Sequence, residues 1–219
     1  MHRITTLLVW SATLLIVYAA QTDTTLADEA APADGWVSLF NGKDLSGWKQ
    51  LNGTATYAVE DGVIVGTTTK GSPNSFLCSE KDYGDFEFQF DVKVDRQLNS
   101  GVQIRSQSKP DYQNGRVHGY QVEIETNGTA GFIYDEARRG WLSKDRSNPA
   151  ARAAFKDGQW NHYHVVCQGD SIKTWVNGVP VADLKDSLTK SGFIGLQVHS
   201  VGGDPHWQVR WRNLRLKSL

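Results

Sequence analysis

The chain has 219 residues, a formal net charge of −1 and only two cysteines. So small a charge excludes electrostatic capture by nucleic acid or an anionic membrane surface, and so few cysteines exclude a disulfide-stapled scaffold. The length suits one domain with a full-sized hydrophobic core.

In chain order, the first segment predicts an export signal rather than a piece of the fold. Met1-His2-Arg3 is a positive start, "ITTLLVWSATLLIVYAA" is an apolar run, and small-residue cleavage patterns end at Ala19 and at Ala27. The run is short for a membrane span of ~20 apolar residues, and no basic stop-transfer cluster follows it. No cysteine stands nearby to carry a lipid. Residues 1–27 therefore read as a signal peptide, 28–34 as a disordered polar spacer and 35–219 as the folded domain. The expected location is periplasmic or extracellular, with no stable membrane insertion after cleavage.

From Gly35 onward nearly every segment has a period of two. "YAVEDGVIVGT" predicts a hairpin turning at Asp61-Gly62. "DFEFQFDVKVD" puts Phe86, Phe88, Phe90, Val92 and Val94 on one face, with Glu87, Gln89, Asp91 and Lys93 on the other. "SGVQIRS", "GYQVEIE", "AGFIYDE", "WNHYHVVCQG", "DSIKTWVNGVPVAD", "GFIGLQVH" and "QVRWRNLRLKSL" continue the series, with another tight turn at Asn177-Gly178. Many short strands between turn signals predict an all-β sandwich or barrel. The only helical candidate, "NPAARAAF", lies in a loop long enough to be functional or mobile. Cys78 and Cys167 sit inside apolar strand runs, which favours buried free thiols over a bridge. No zinc-binding, P-loop or dinucleotide-binding pattern occurs in a usable context.

The polar faces of four strands are unusual. Val102 and Ile104 oppose Gln103 and Arg105. Val122 and Ile124 oppose Gln121, Glu123 and Glu125. Leu196 and Val198 oppose Gln197 and His199, and Val209 and Trp211 oppose Arg210 and Arg212. Plain solvation needs only polarity, whereas these side chains offer directional donors and acceptors. If the four strands are neighbours in a curved sheet, their polar faces line one groove; a merely solvated sheet face is the competing reading for each strand.

With those residues in place, the chain resembles the 3-keto-disaccharide hydrolase domain family from "GWVSLFNGKDLSGWK" to "VRWRNLRL". "LFNGKDLSGW", "SGVQIRS", "GYQVEI", "WNHYHVV…WVNGVPVAD" and "GFIGLQVHS" carry the resemblance as an ordered set. It implies a concanavalin A-like jelly roll, two antiparallel sheets with a substrate groove on the concave face. The chain departs from the family pattern where Gln121 and Glu123 look interchanged, and at Thr174, where many relatives carry His.

The resemblance also implies a substrate oxidised to a ketone at carbon 3. The ketone acidifies the carbon-2 proton; a base removes it, the anomeric group leaves, and addition of water completes a net hydrolysis. Such chemistry needs a base, a stabiliser for the enolate oxygen and a proton donor. Glu123 is the expected base, with a salt bridge to Arg105 or Arg212 as its competing role. His199 is the expected proton donor, or with Glu123 a ligand of a divalent cation, although no cofactor is firmly implied. Arg105 suits the oxyanion role. Gln103, Gln121, Gln197 and Arg212 are expected to bind sugar hydroxyls, and Tyr134 and Trp141 to form a stacking wall unless they are core. Two rival readings stay open. One is a retaining glycosidase using Glu123 and Glu125, which lie about 6.6 Å apart along a strand. The other is a carbohydrate-binding module without catalysis.

Overall fold

The two turn signals fold as the sequence predicts. Asp61 and Gly62 both take positive φ, at 49° and 76°, as do Asn177 and Gly178 at 50° and 80°, the pairing that a two-residue hairpin matched to strand twist requires. In the computed structural model, which describes residues 34–219, the elements run β1 (Trp36–Ser38), β2 (Trp48–Leu51), β3 (Thr56–Glu60), β4 (Val63–Thr67), β5 (Ser75–Tyr83), β6 (Phe86–Val94), β7 (Ser100–Gln107) and β8 (His118–Ile124). There follow β9 (Ile133–Glu136), β10 (Gly140–Trp141), α1 (Pro149–Arg152), β11 (Asn161–Gln168), β12 (Ser171–Val176), β13 (Val179–Lys185), β14 (Gly192–Val198) and β15 (Gln208–Ser218). The expected signal peptide, and the spacer up to residue 33, lie outside the described residues. No described helix is long and apolar enough to cross a membrane.

The strands form two antiparallel sheets. One has eight strands in the order β13-β12-β11-β6-β15-β4-β3, with β1 also paired to β15; the other has seven, β10-β9-β8-β7-β14-β5-β2. This is the expected all-β jelly-roll sandwich of concanavalin A-like type, built from two antiparallel sheets. Between the sheets, Phe86, Phe88, Phe90, Val122, Ile124, Leu196 and Val198 are each at most 1% exposed. Burying each such side chain contributes roughly 1.5–3 kcal/mol, and Phe90 stacks on Tyr163 with centroids 4.9 Å apart. Cys78 and Cys167 are both free and buried.

The short helix begins as its sequence suggests. Asn148 Oδ1 accepts from the Ala150 and Ala151 amides at 3.0 and 3.3 Å, with Pro149 in the first turn. The long loop around it is tied down. Arg152 donates to the Asn127 carbonyl at 3.2 Å, and β10 folds back so that Trp141 pairs with Tyr134. A side chain from the loop is thereby fixed against the seven-stranded sheet.

One expectation fails in an informative way. The polar faces of β7, β8 and β14 are not wet: Gln103 and Gln197 are fully buried, and Gln121 and Glu123 are 3% and 5% exposed. The three strands are adjacent, β8-β7-β14, so the amides of one strand pack on those of the next.

Candidate functional site

The site is built around Glu123, in the middle of β8. One carboxylate oxygen accepts from Asn99 Nδ2 at 2.5 Å and the other from Gln121 Nε2 at 2.9 Å. Gln121 can point its NH2 at the carboxylate because its own oxygen is taken twice, by Gln103 Nε2 at 2.6 Å and Gln197 Nε2 at 3.0 Å. Gln103 is oriented in turn by the Ser106 hydroxyl, 2.9 Å from its oxygen. The network needs space across the strands. Gly101 faces Gln121, and a Cβ there would fall 2.5 Å from Gln121 Cδ.

Glu123 opens on a cleft of about 330 Å³ lined by Asn74, Asn99, Arg116, Gln121, Tyr134, Glu136, Trp141 and His199. Tyr134 and Trp141 meet edge to face, centroids 5.2 Å apart, and the Arg146 guanidinium lies over the Trp141 ring at 4.3 Å. His199, just past β14, donates from Nδ1 to the Ser200 carbonyl at 2.7 Å, which leaves Nε2 for chemistry in the cleft.

Burial pushes the Glu123 carboxyl up to about 7; the Asn99 and Gln121 hydrogen bonds oppose the shift, while the charges of Glu125 and Glu136 add to it. Burial also raises Glu136, opposed by the charges of Arg116 and His199 and by hydrogen bonds from Arg116 and Asn74. Arg116 Nη2 stands 3.5 Å from Glu136 Oε1. The cleft thus holds two carboxyls that resist ionising together, an imidazole nitrogen and a guanidinium, which is equipment for moving protons beside an anionic oxygen.

Of the residues expected in the groove, Glu123, Gln121, His199, Tyr134 and Trp141 line the cleft. Gln103 and Gln197 lie beneath it and hold Gln121, so they are positioning residues rather than hydroxyl binders. Arg105 is a correction. Its guanidinium is fully buried and donates to the Gly84 and Gly169 carbonyls at 2.7 and 2.8 Å and to Asp85 at 2.7 Å. The cause is a bulge in β7 between Ile104 and Gln107, where Arg105 takes φ +46° and the alternation breaks.

Arg212 is a second correction, because β15 belongs to the other sheet. Arg212 lies 4.1 Å over the Trp160 ring and 3.4 Å from Asp91. Neither arginine pairs with Glu123. Thr174 also lies outside the cleft: it is buried on β12, its hydroxyl donating to the Gly131 carbonyl at 2.6 Å.

Sequence reasoning missed Asn99, Asn74, Arg116 and Glu136. Glu136 had a signal, standing two residues after Tyr134 on the same alternating strand, whereas the other three lie in connections with no period. Among the described residues, no group of three or more His, Cys, Asp and Glu converges to hold a divalent cation.

Fold and cleft together define a jelly roll with a carboxyl-bearing groove. Residues 35–217 match the family of 3-keto-alpha-glucoside-1,2-lyase-like domains, and the chain belongs to that family, as a carbohydrate-active jelly-roll protein. Among solved structures it is similar to a candidate glycosyl hydrolase from Parabacteroides distasonis, with TM-score 0.62 and 23% identity over 85% of this chain and 95% of that one. It also resembles the Bacillus licheniformis beta-glucanase, with TM-score 0.54 and 13% identity over 86% of this chain and 100% of that one. A third likeness is to the carbohydrate binding module CBM66 from Bacillus subtilis, with TM-score 0.51 and 18% identity over 78% of this chain and 96% of that one. At these identities the likeness concerns the fold alone. Among curated proteins no match is found.

The raised Glu123 carboxyl has a consequence for stability. Its folded value, about 7, lies above the ordinary 4.5, so its contribution is fully present below pH 4.5 and is lost as pH rises through 7. At about 1.4 kcal/mol per unit, that amounts to roughly 3 kcal/mol. Glu123→Gln removes the titration. Denaturant unfolding should show wild type losing stability relative to the variant between pH 5 and pH 8; parallel pH dependence in the two proteins would contradict the buried carboxyl.

Proposed function

We propose that the domain cleaves the glycosidic bond of 3-keto-glycosides and 3-keto-disaccharides by elimination, with Glu123 as the base. The observation that carries this reading is the buried Glu123 carboxyl, its proton affinity raised to about 7, at the wall of a cleft that also holds Arg116 and His199. A base matched to neutral pH suits removal of a carbon-bound proton.

With the keto ring against Tyr134 and Trp141, Glu123 takes the carbon-2 proton. The electron pair left at carbon 2 delocalises onto the carbon-3 oxygen, and Arg116, the guanidinium in the cleft, takes the stabilising role expected of Arg105. The enolate collapses, a double bond forms between carbons 1 and 2, and the bond from carbon 1 to the leaving oxygen breaks. That oxygen takes a proton from His199 Nε2 in its protonated form. Addition of water across the new double bond completes a net hydrolysis. Glu125 is a poor partner for a retaining glycosidase. It does not line the cleft, and its carboxylate is held by Asn99 at 2.9 Å and by the Thr126 amide at 2.8 Å.

On this reading Glu123→Gln abolishes turnover of a 3-keto-disaccharide while its binding persists. On its acid limb, wild-type kcat/KM rises with pH through a midpoint near 7, as the base loses its proton. In deuterated water, carbon 2 acquires label during turnover. Cleavage without label at carbon 2 would favour direct hydrolysis, and tight binding of a sugar without any cleavage would make the domain a binding module.

The domain is proposed to act after export, with residues 1–27 removed and 35–219 released to the periplasm or the cell exterior; the motive is the apolar run ending in small residues. Intact mass of the exported protein should match a chain beginning at Asp28, and a mature form that keeps Met1 would overturn the assignment.

A further inference from the structure

The cleft does not end at its own wall. A second compartment of about 560 Å³ adjoins it, and four residues, Asn74, Arg116, Glu136 and His199, line both. Glu123, Tyr134 and Trp141 line only the first; Phe76, Pro73, Gln113 and Asn114 line only the second.

Reaction geometry fixes which part of a substrate lies where. The ring that loses its carbon-2 proton must touch Glu123 and so occupies the first cleft. Carbon 1 is bonded directly to the carbon that loses this proton, so the group it expels lies beyond the ring. The shared boundary of Arg116, Glu136 and His199 leads from Glu123 into the second compartment. We propose that this compartment is a leaving-group site for a second hydroxylated ring, and that Asn114 is a specificity-determining residue in it. The inference rests on the reading of the domain as a keto-sugar enzyme.

The lining fits such a ring. Phe76, 2% exposed, and Pro73 offer an apolar floor for the C–H face of a sugar, while the amide side chains stand around it for hydroxyls. The turn that carries these amides is strained: Gln113 and Asn114 are consecutive residues at φ +44° and +57°, a conformation that costs non-glycine residues free energy. Hydrogen bonds hold it there. The Gly115 and Arg116 amides both donate to the Tyr112 carbonyl, at 3.0 and 3.1 Å, and the Tyr112 hydroxyl donates to the Ala137 carbonyl at 2.6 Å. Gln113 Oε1 accepts from Arg116 Nη1 at 3.3 Å, which ties the turn to the boundary residue. Asn114 beside it is exposed at the compartment edge, its amide left to solvent.

The test compares two substrates that share the keto ring and differ in the leaving group: a 3-keto-glucosyl-glucose disaccharide and methyl 3-keto-glucoside. Asn114→Gly removes the amide without opposing the left-handed backbone. Wild type should show the lower KM for the disaccharide. The variant should raise that KM about tenfold, the value of one hydrogen bond, with kcat little changed and the methyl glycoside affected less than twofold. Equal effects on both substrates, or none on either, would overturn the leaving-group site and leave the keto-sugar reading standing. If wild type turns over neither substrate, the reading beneath it fails and the inference falls with it.

Discussion

A carboxyl group kept nearly dry is the constraint on which the site depends. Glu123 is 5% exposed, and its charged form is solvated chiefly by two amide donors, Asn99 and Gln121. Burial of a charge with so few partners is costly, and this cost raises its affinity for a proton. Those donors are useful only if they point the right way. Gln121 does so because Gln103 and Gln197 both donate to its oxygen. This in turn requires β8, β7 and β14 to be neighbours and residue 101 to lack a side chain. Sheet order, a glycine and three glutamines therefore converge on one proton affinity.

Much of this was legible in the sequence. The hairpins follow from Asp-Gly and Asn-Gly, and the core follows from period two in the strands of Phe88, Val122 and Leu196. The amide row was visible as an excess of directional side chains where any polar residue would satisfy water. The two arginines mark the limit. Alternation says which residues of a strand share a face, but not which sheet the strand joins. Arg212 therefore looked like Gln103 and yet belongs to the other sheet. Alternation also presumes an unbroken strand, and the β7 bulge turns Arg105 away to tie Gly84, Asp85 and Gly169 together. Asn99 and Arg116 sit in connections, where no periodicity announces a direction.

The site draws on strands and on the connections between them. The base and its amide supports project from three adjacent strands, the arrangement that holds a reactive group most firmly. The aromatic wall comes partly from a loop, with Trp141 held between Tyr134 and Arg146. The guanidinium and imidazole stand at the strand ends. A substrate would meet a base fixed by the strands and a wall fixed by a loop folded back on the same sheet.

Burial among amides should make Glu123 titrate near neutrality. Carbon-detected NMR of the glutamate side-chain carboxyls across pH 3 to 9, with Glu123→Gln to assign the resonance, measures this directly. One carboxyl should titrate with a midpoint about 7 and be absent from the variant. If every glutamate carboxyl, Glu123 included, titrated below pH 5, Glu123 would be an ordinary solvated carboxylate, and its assignment as the base poised for neutral pH would be wrong.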